Sequence, residues 1–138
     1  MEFRNVGFSG LRVSVAGLGC NNFGMRLDQE KTQAVVDKAI DLGVTLFDTA
    51  DVYGGGQSEV MLGKALGDRR QDVIVATKFG SPMGEGPYKA GGSRRYIMAA
   101  CEASLKRLGT DYIDLYQIHR PDASTPLEET MRALEDLV

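Results

Sequence analysis

The chain has 138 residues, of which 43% are hydrophobic and 25% are charged. These proportions are ordinary for a globular protein and argue against disorder, and the length is that of one domain. Sixteen Lys and Arg residues against 19 Asp and Glu residues give a net charge of -3, which argues against a nucleic-acid partner. No apolar run approaches the roughly 18 residues of a membrane span, and no secretory signal begins the chain. We therefore expect a cytoplasmic protein without a membrane partner.

Short apolar runs alternate with amphipathic segments along the whole chain. Residues 3–11 predict a small hairpin that turns at Phe8-Ser9-Gly10. The later apolar runs are rich in β-branched residues and too short for helices, so they predict buried parallel strands. These four strands are predicted over residues 13–18, 44–47, 73–76 and 112–118.

Four helices are predicted from a polar residue before an apolar stripe and, in three cases, a glycine after it. The predicted N-caps are Asp28, Ser58, Ser93 and the capping box Thr125-Pro126-Leu127-Glu128, and the predicted stops are Gly43, Gly67 and Gly109. The element order is a hairpin followed by βαβαβαβα, which is the α/β class. Right-handed crossovers would then build a parallel sheet with the helices on its outer side.

Three predicted strands end in ionisable residues, namely Asp48, Lys78 and His119. Parallel strands bring their carboxyl ends to one rim, which is where α/β folds carry their sites. Tyr53 lies in the loop that follows Asp48 and can lean over the same rim. Each residue alone has an ordinary structural explanation, but four of them on one rim favour a site.

These four side chains suit the donation of a proton to a developing alkoxide. A phenol is a poor acid near neutral pH unless its anion is stabilised. An adjacent Lys78 ammonium would lower the pKa of the Tyr53 phenol, and Asp48 would keep that lysine charged and aimed. His119 would hold a carbonyl oxygen or help to relay the proton. This chemistry fits carbonyl reduction with a hydride from another source.

The motifs that contain these residues resemble those of the aldo-keto reductases. Residues 43–54 (GVTLFDTADVYG), with Ser58-Glu59 and Leu62-Gly63 after them, look like the first signature of that family. Residues 75–78 (VATK) resemble its lysine strand, and residues 104–121 (SLKRLGTDYIDLYQIHRP) resemble its histidine strand with the preceding helix. The resemblance runs from Gly17 to the last helix.

The resemblance implies a (β/α)8 TIM barrel that reduces aldehydes and ketones to alcohols with NADPH or, less often, NADH. By that resemblance Tyr53 is the general acid/base, Lys78 lowers the pKa of its hydroxyl, and Asp48 pairs with Lys78. His119 orients the carbonyl and, with Tyr53, contacts the substrate. The nicotinamide end of the cofactor would touch Asp48 and the loop that begins at Cys20 and Asn21.

A complete TIM barrel needs about 250 residues, so residues 1–138 would form one incomplete domain. They hold the first four βα units after the hairpin, and the family's phosphate-binding loops follow later strands. An apolar barrel-facing surface would then stay open, and we assign to it Val44, Leu46, Val73, Val75 and Leu115. We expect the isolated chain to self-associate or to need a C-terminal half.

Other interpretations remain beside the reductase. The family also contains channel-accessory proteins, so a cofactor-binding regulatory module is one alternative, and a catalytically inert half-barrel fragment is another. The residues around Gly17 lack the third glycine of a dinucleotide fingerprint. One histidine is too few for a metal-dependent TIM hydrolase, so no metal site is expected. A Schiff-base aldolase with Lys78 as the nucleophile stays open.

Overall fold

The strands form two separate sheets in the computed structural model, which describes residues 1–138. A hairpin pairs β1 (Phe3–Asn5) with β2 (Arg12–Ser14) antiparallel. The second sheet is parallel and follows the chain order β3, β4, β5, β6. Its strands are β3 (Gly17–Gly19), β4 (Leu46–Asp48), β5 (Ile74–Phe79) and β6 (Leu115–Ile118).

Four α-helices connect or follow these strands, as the sequence predicts. They are α1 (Gln29–Asp41), α2 (Gln57–Leu66), α3 (Arg94–Leu108) and α4 (Leu127–Glu135). Short 3-10 turns cover Tyr53–Gly56 and Gly67–Asp72. No helix has the length and apolar character that crossing a bilayer requires.

The prediction of one strand over residues 13–18 is wrong, and so is a hairpin confined to residues 3–11. Ser14 ends β2, which is the second strand of the hairpin, and β3 begins only at Gly17. The Ser14 hydroxyl causes the break, because it donates to the carbonyl of Ala16 at 2.6 Å. It also accepts from the Thr45 amide at 2.9 Å, which ties the hairpin to the amino end of β4.

Two predicted helix caps are confirmed and two are wrong. Asp28 accepts from the Lys31 amide at 2.9 Å and Ser93 from the Tyr96 amide at 3.4 Å. Ser58 caps nothing, because α2 already begins at Gln57 and the serine hydroxyl bonds elsewhere. The capping box before α4 does not form either, because the Thr125 hydroxyl donates to Asp122 at 2.7 Å instead.

The two faces of the parallel sheet differ in burial. Phe47 and Val75 are opposite each other in neighbouring strands, and both are fully buried against the helices. Val73 belongs to the same core and Val44 packs against it, so the assignment of Val44, Val73 and Val75 to the barrel-facing side is wrong. Side chains alternate along a strand, and the open face therefore carries Leu46, Asp48, Ile74, Lys78 and Leu115, which are all partly exposed, together with the small, buried Ala76.

Helix α2 approaches the last residue of α3 closely at Gly63. A Cβ atom at Gly63 would lie 2.1 Å from the carbonyl oxygen of Leu108 and 2.6 Å from its carbonyl carbon. Backbone cannot yield as a flexible side chain does, so only glycine fits this contact.

Gly63→Ala is therefore expected to lower the free energy of unfolding by about 1–3 kcal/mol, as overpacking does in a close-packed interior. The measurement is urea unfolding of the chain, compared at constant m value. Lys64→Ala is the control, because Lys64 is the exposed neighbour on the same helix and its change is expected to stay within about 0.5 kcal/mol. Equal midpoints for the two variants would contradict the close approach.

Candidate active site

Lys78 and Asp48 form an ion pair at the carboxyl ends of β5 and β4. The Lys78 Nζ atom lies 2.7 Å from Asp48 Oδ1 and donates to the Thr49 carbonyl at 2.8 Å. The lysine side chain is 15% exposed, whereas that of Asp48 is 42% exposed. The sheet thus holds a lysine ammonium at a fixed point of its rim, as the positions of the two residues at strand ends predict.

Tyr53 reaches this ion pair because the chain turns tightly after it. Tyr53 opens a 3-10 turn in which Gly54, Gly55 and Gly56 have φ values of 59°, 63° and 95°. Such left-handed conformations suit glycine and strain other residues. The Tyr53 ring centroid lies 5.3 Å from the Lys78 Nζ atom. The three consecutive glycines are therefore what lets the chain fold the phenol back over the rim.

His119 completes the group from the end of β6. Its ring meets the Tyr53 ring edge-on, with the centroids 5.6 Å apart and the planes at 83°. The His119 amide donates to the Phe79 carbonyl at 2.7 Å, which fixes the histidine beside β5. Burial, and then the charges of Lys78 and Arg120, lower the pKa of His119. The imidazole is therefore neutral at neutral pH, and its Nδ1 atom is buried without a partner.

The structure brings all four residues predicted as catalytic to one rim. Of the two further residues predicted to bind the cofactor, one is buried and the other is exposed. Cys20 is fully buried, and its thiol lies 3.4 Å from the Leu18 carbonyl. Burial, and secondarily the charge of Asp48, raises the pKa of that thiol to about 12. The Cys20 side chain therefore cannot reach a cofactor on the open side. Asn21 is exposed.

Sequence reasoning missed a buried polar cluster behind the Tyr53 loop. Glu59 is fully buried and accepts from the Thr77 hydroxyl and from Arg107 Nε, each at 2.6 Å. A signal for it exists, because Glu59 lies three and seven residues before Leu62 and Leu66. A carboxylate on the apolar stripe of a helix needs a buried partner. That pattern identifies Glu59 as buried, but it does not identify Arg107 as the partner.

Asp51 belongs to the same cluster and is 1% exposed. Neither carboxylate oxygen of Asp51 has a hydrogen-bond partner. Burial, and then the nearby charge of Glu59, raises the pKa of Asp51 to about 6. The folded chain therefore holds a proton on Asp51 at mildly acidic pH, where the unfolded chain has lost it.

A raised carboxyl pKa makes folding less favourable as the pH rises, because the folded state binds more protons than the unfolded state. The stabilising contribution of Asp51 is present below pH 3.8 and is lost by about pH 6. Asp51→Asn is therefore expected to become more stable relative to the parent, by up to about 3 kcal/mol, between pH 4 and pH 7. Urea unfolding at both pH values measures this change. An unchanged difference between variant and parent would contradict the raised pKa.

The ion pair bears on the aldolase alternative. A lysine that forms a Schiff base attacks as the neutral amine. Here the Lys78 Nζ atom instead donates to the Asp48 carboxylate at 2.7 Å and to the Thr49 carbonyl at 2.8 Å. The arrangement of Lys78 beneath the Tyr53 ring fits an electrostatic partner of the phenol better than it fits a nucleophile.

Known proteins share both the sequence and the fold of this chain. A probable voltage-gated potassium channel subunit beta of Arabidopsis thaliana is 43% identical to it over 144 residues, which cover 100% of this chain and 43% of that protein. The L-glyceraldehyde 3-phosphate reductase of Escherichia coli K12 is 43% identical over 145 residues, covering 100% of this chain and 42% of the reductase.

A solved aldo-keto reductase of Bacillus halodurans, in its holo form, superposes with a TM-score of 0.90 at 43% sequence identity. The match covers 99% of this chain and 46% of that structure. The chain thus spans less than half the length of these relatives, and its four βα units are a partial α/β barrel of the TIM type. The family model described as the aldo/keto reductase family matches residues 16–138. The chain therefore belongs to the aldo/keto reductase family.

Proposed function

We propose that this chain is part of a cytoplasmic, NADPH-dependent oxidoreductase that reduces aldehydes or ketones to alcohols, with NADH as a possible substitute cofactor. The observation that carries the proposal is the position of Lys78. Its Nζ atom is bonded to Asp48 and to the Thr49 carbonyl, and it lies 5.3 Å from the centre of the Tyr53 ring. A charged ammonium beside a phenol is the arrangement that a proton donor to an alkoxide needs.

Tyr53 acts as the general acid/base in this proposal. Its hydroxyl gives a proton to the carbonyl oxygen as negative charge develops there, and the Lys78 ammonium stabilises the phenolate that remains. His119 is neutral because its pKa is lowered, so it donates one N–H to the same carbonyl oxygen without adding charge. Asp48 holds the Lys78 side chain in position through the ion pair at 2.7 Å. These residues bind and orient the carbonyl group and move one proton.

The residues of this chain fit the nicotinamide end of the proposed cofactor. Asn21 presents an exposed amide, and the Asp48 carboxylate remains 42% exposed although it pairs with Lys78. Such groups can hydrogen-bond the carboxamide and the ribose hydroxyls of a nicotinamide nucleotide. NADPH supplies the hydride when it is bound. Its phosphates fall to the loops that follow later strands in the family.

A channel-accessory role is the second candidate, and the 43% identity to the Arabidopsis thaliana channel subunit favours it. In that role the barrel binds cofactor and mainly contacts a partner protein. Such a module has no need of a proton donor, whereas here Tyr53, Lys78 and His119 lie together. Turnover of a generic aldehyde with NADPH separates the two roles. The substrate is applied to a complete barrel made by joining residues 1–138 to the C-terminal half of the Bacillus halodurans enzyme.

Tyr53→Phe in that complete barrel is expected to lower the rate of aldehyde reduction by about 100-fold or more, which is the usual contribution of a positioned general acid. Cofactor binding is expected to stay near normal, because only the hydroxyl is removed. The two measurements are steady-state NADPH oxidation and a cofactor fluorescence titration. Reduction that persists within tenfold of the parent would show that Tyr53 is not the acid.

Lys78→Met is expected to lower the rate and to move the alkaline limb of the pH–rate profile, because the ammonium no longer favours the phenolate. The measurement is kcat as a function of pH in the complete barrel. Lys64→Met serves as the matched control, because Lys64 is exposed on α2. A slower Lys78→Met enzyme with an unmoved profile would contradict the coupling of Lys78 to Tyr53.

A further inference from the structure

Glu59 joins three elements through one buried carboxylate. Its own helix, α2, follows directly on the turn that carries Tyr53. One oxygen accepts from the Thr77 hydroxyl of β5 and the other from Arg107 Nε of α3, each at 2.6 Å. Arg107 is further held by a bond from its Nη2 to Ser104 Oγ at 3.1 Å. We call Thr77, Glu59 and Arg107 the clamp.

Each end of the clamp adjoins a residue of the proposed site. Thr77 precedes Lys78 on β5, so a fixed Thr77 side chain fixes the strand from which the lysine projects on the opposite face. At the other end, Arg107 lies against Gly56, where a Cβ would be 2.8 Å from Arg107 Cδ and 3.2 Å from its Nε. Gly56 ends the turn that Tyr53 begins. A continuous path of contacts therefore runs from the Tyr53 turn to Lys78.

The glycine turn makes such a path necessary. Gly54, Gly55 and Gly56 have no side chains with which to hold the turn, and glycine leaves the backbone free to adopt many conformations. The Tyr53 ring nevertheless stays edge-on to His119 and above Lys78. The Arg107 Cδ atom packed on Gly56 adds a side-chain contact at the far end of the turn to the backbone bonds from the Gln57 amide to the Tyr53 and Gly54 carbonyls.

We propose that the clamp is the positioning element of the site, which holds the Tyr53 ring against His119 and Lys78 although none of its three residues touches substrate. The consequence for catalysis rests on the proposed function, since it needs Tyr53 to be the acid. The placement of the Tyr53 ring does not depend on the proposed function, and it can be measured on the chain without any turnover assay.

His119 reports the placement of the Tyr53 ring because it is the only histidine of the chain. Two signals are read by NMR: the nuclear Overhauser effect between the two rings, and the titration of the imidazole. The charged groups that act on His119 are Lys78 and Arg120, which lower its pKa, and Asp48, which raises it. Burial lowers it most, so a Tyr53 ring that moves away raises the pKa of His119.

Glu59→Gln and Thr77→Val test the clamp with opposite electrostatic expectations. Removing the negative charge of Glu59 would by itself lower the pKa of a nearby histidine, and Thr77→Val changes no charge. A positioning role instead predicts that both variants raise the pKa of His119 and lose the ring-to-ring Overhauser effect. If Glu59→Gln does not fold, Thr77→Val still tests the proposal, because valine has nearly the shape of threonine and the Glu59–Arg107 pair remains in place.

Asp114→Asn is the matched control for the loss of a buried acid. Asp114 pairs with Arg70 at 2.8 Å and accepts from the Val75 amide at 2.9 Å, at the opposite end of β5. It is expected to destabilise the chain and to leave both His119 signals unchanged. In a Tyr53→Leu background, Glu59→Gln is expected to cause no further rise in the pKa of His119.

Three results would overturn the proposal: retention of the Overhauser effect in Glu59→Gln and Thr77→Val, a lowered pKa of His119 in Glu59→Gln, or a rise that persists without the Tyr53 ring. The Tyr53→Phe activity assay decides separately whether Tyr53 is the acid. If the clamp variants change both His119 signals as expected while Tyr53→Phe remains active, the proposed function is contradicted and the positioning role of the clamp is supported.

Discussion

Lys78 emerges from a strand whose other side chains are mostly apolar, and an ammonium in such a place requires a counter-charge. The parallel sheet supplies it, because the pairing of β4 with β5 sets Asp48 opposite Ala76, two residues from Lys78. A shift of one residue in that register would turn Asp48 toward the helices and Phe47 toward the open face. The ion pair and the burial of the core thus depend on one and the same strand alignment.

The alternation of elements, the class of fold and the rim of ionisable residues could be predicted from the sequence. Each rests on a local pattern that the chain carries unambiguously: the apolar runs, the glycine after a helix, the polar residue that ends a strand. Asp28 and Ser93 cap helices as predicted, because each side chain accepts from a backbone amide only three residues further along the chain. Family motifs added the expected roles of Tyr53 and His119.

Three of the features that escaped prediction involve partners distant in sequence. The Ser58 hydroxyl looked like a helix cap, but it donates to the Cys20 carbonyl 38 residues away. The Ser14 hydroxyl interrupts an apolar run that looked continuous through its bond to the Ala16 carbonyl, and its bond from the Thr45 amide holds that hydroxyl from 31 residues away. Arg107 reaches Glu59, 48 residues away, across the packed pair of helices α2 and α3. Local propensity carries no information about such pairings, so they need the folded chain.

The hairpin occupies the amino end of the parallel sheet, where Ser14 meets Thr45, whereas the Tyr53 turn lies at the carboxyl end. The tip of the hairpin carries Phe8, whose side chain is fully exposed. An affinity handle, a dye or a surface linker attached at this tip would therefore stand the full depth of the sheet away from the rim. Immobilisation through Phe8 would present the rim to solution with its approach unobstructed.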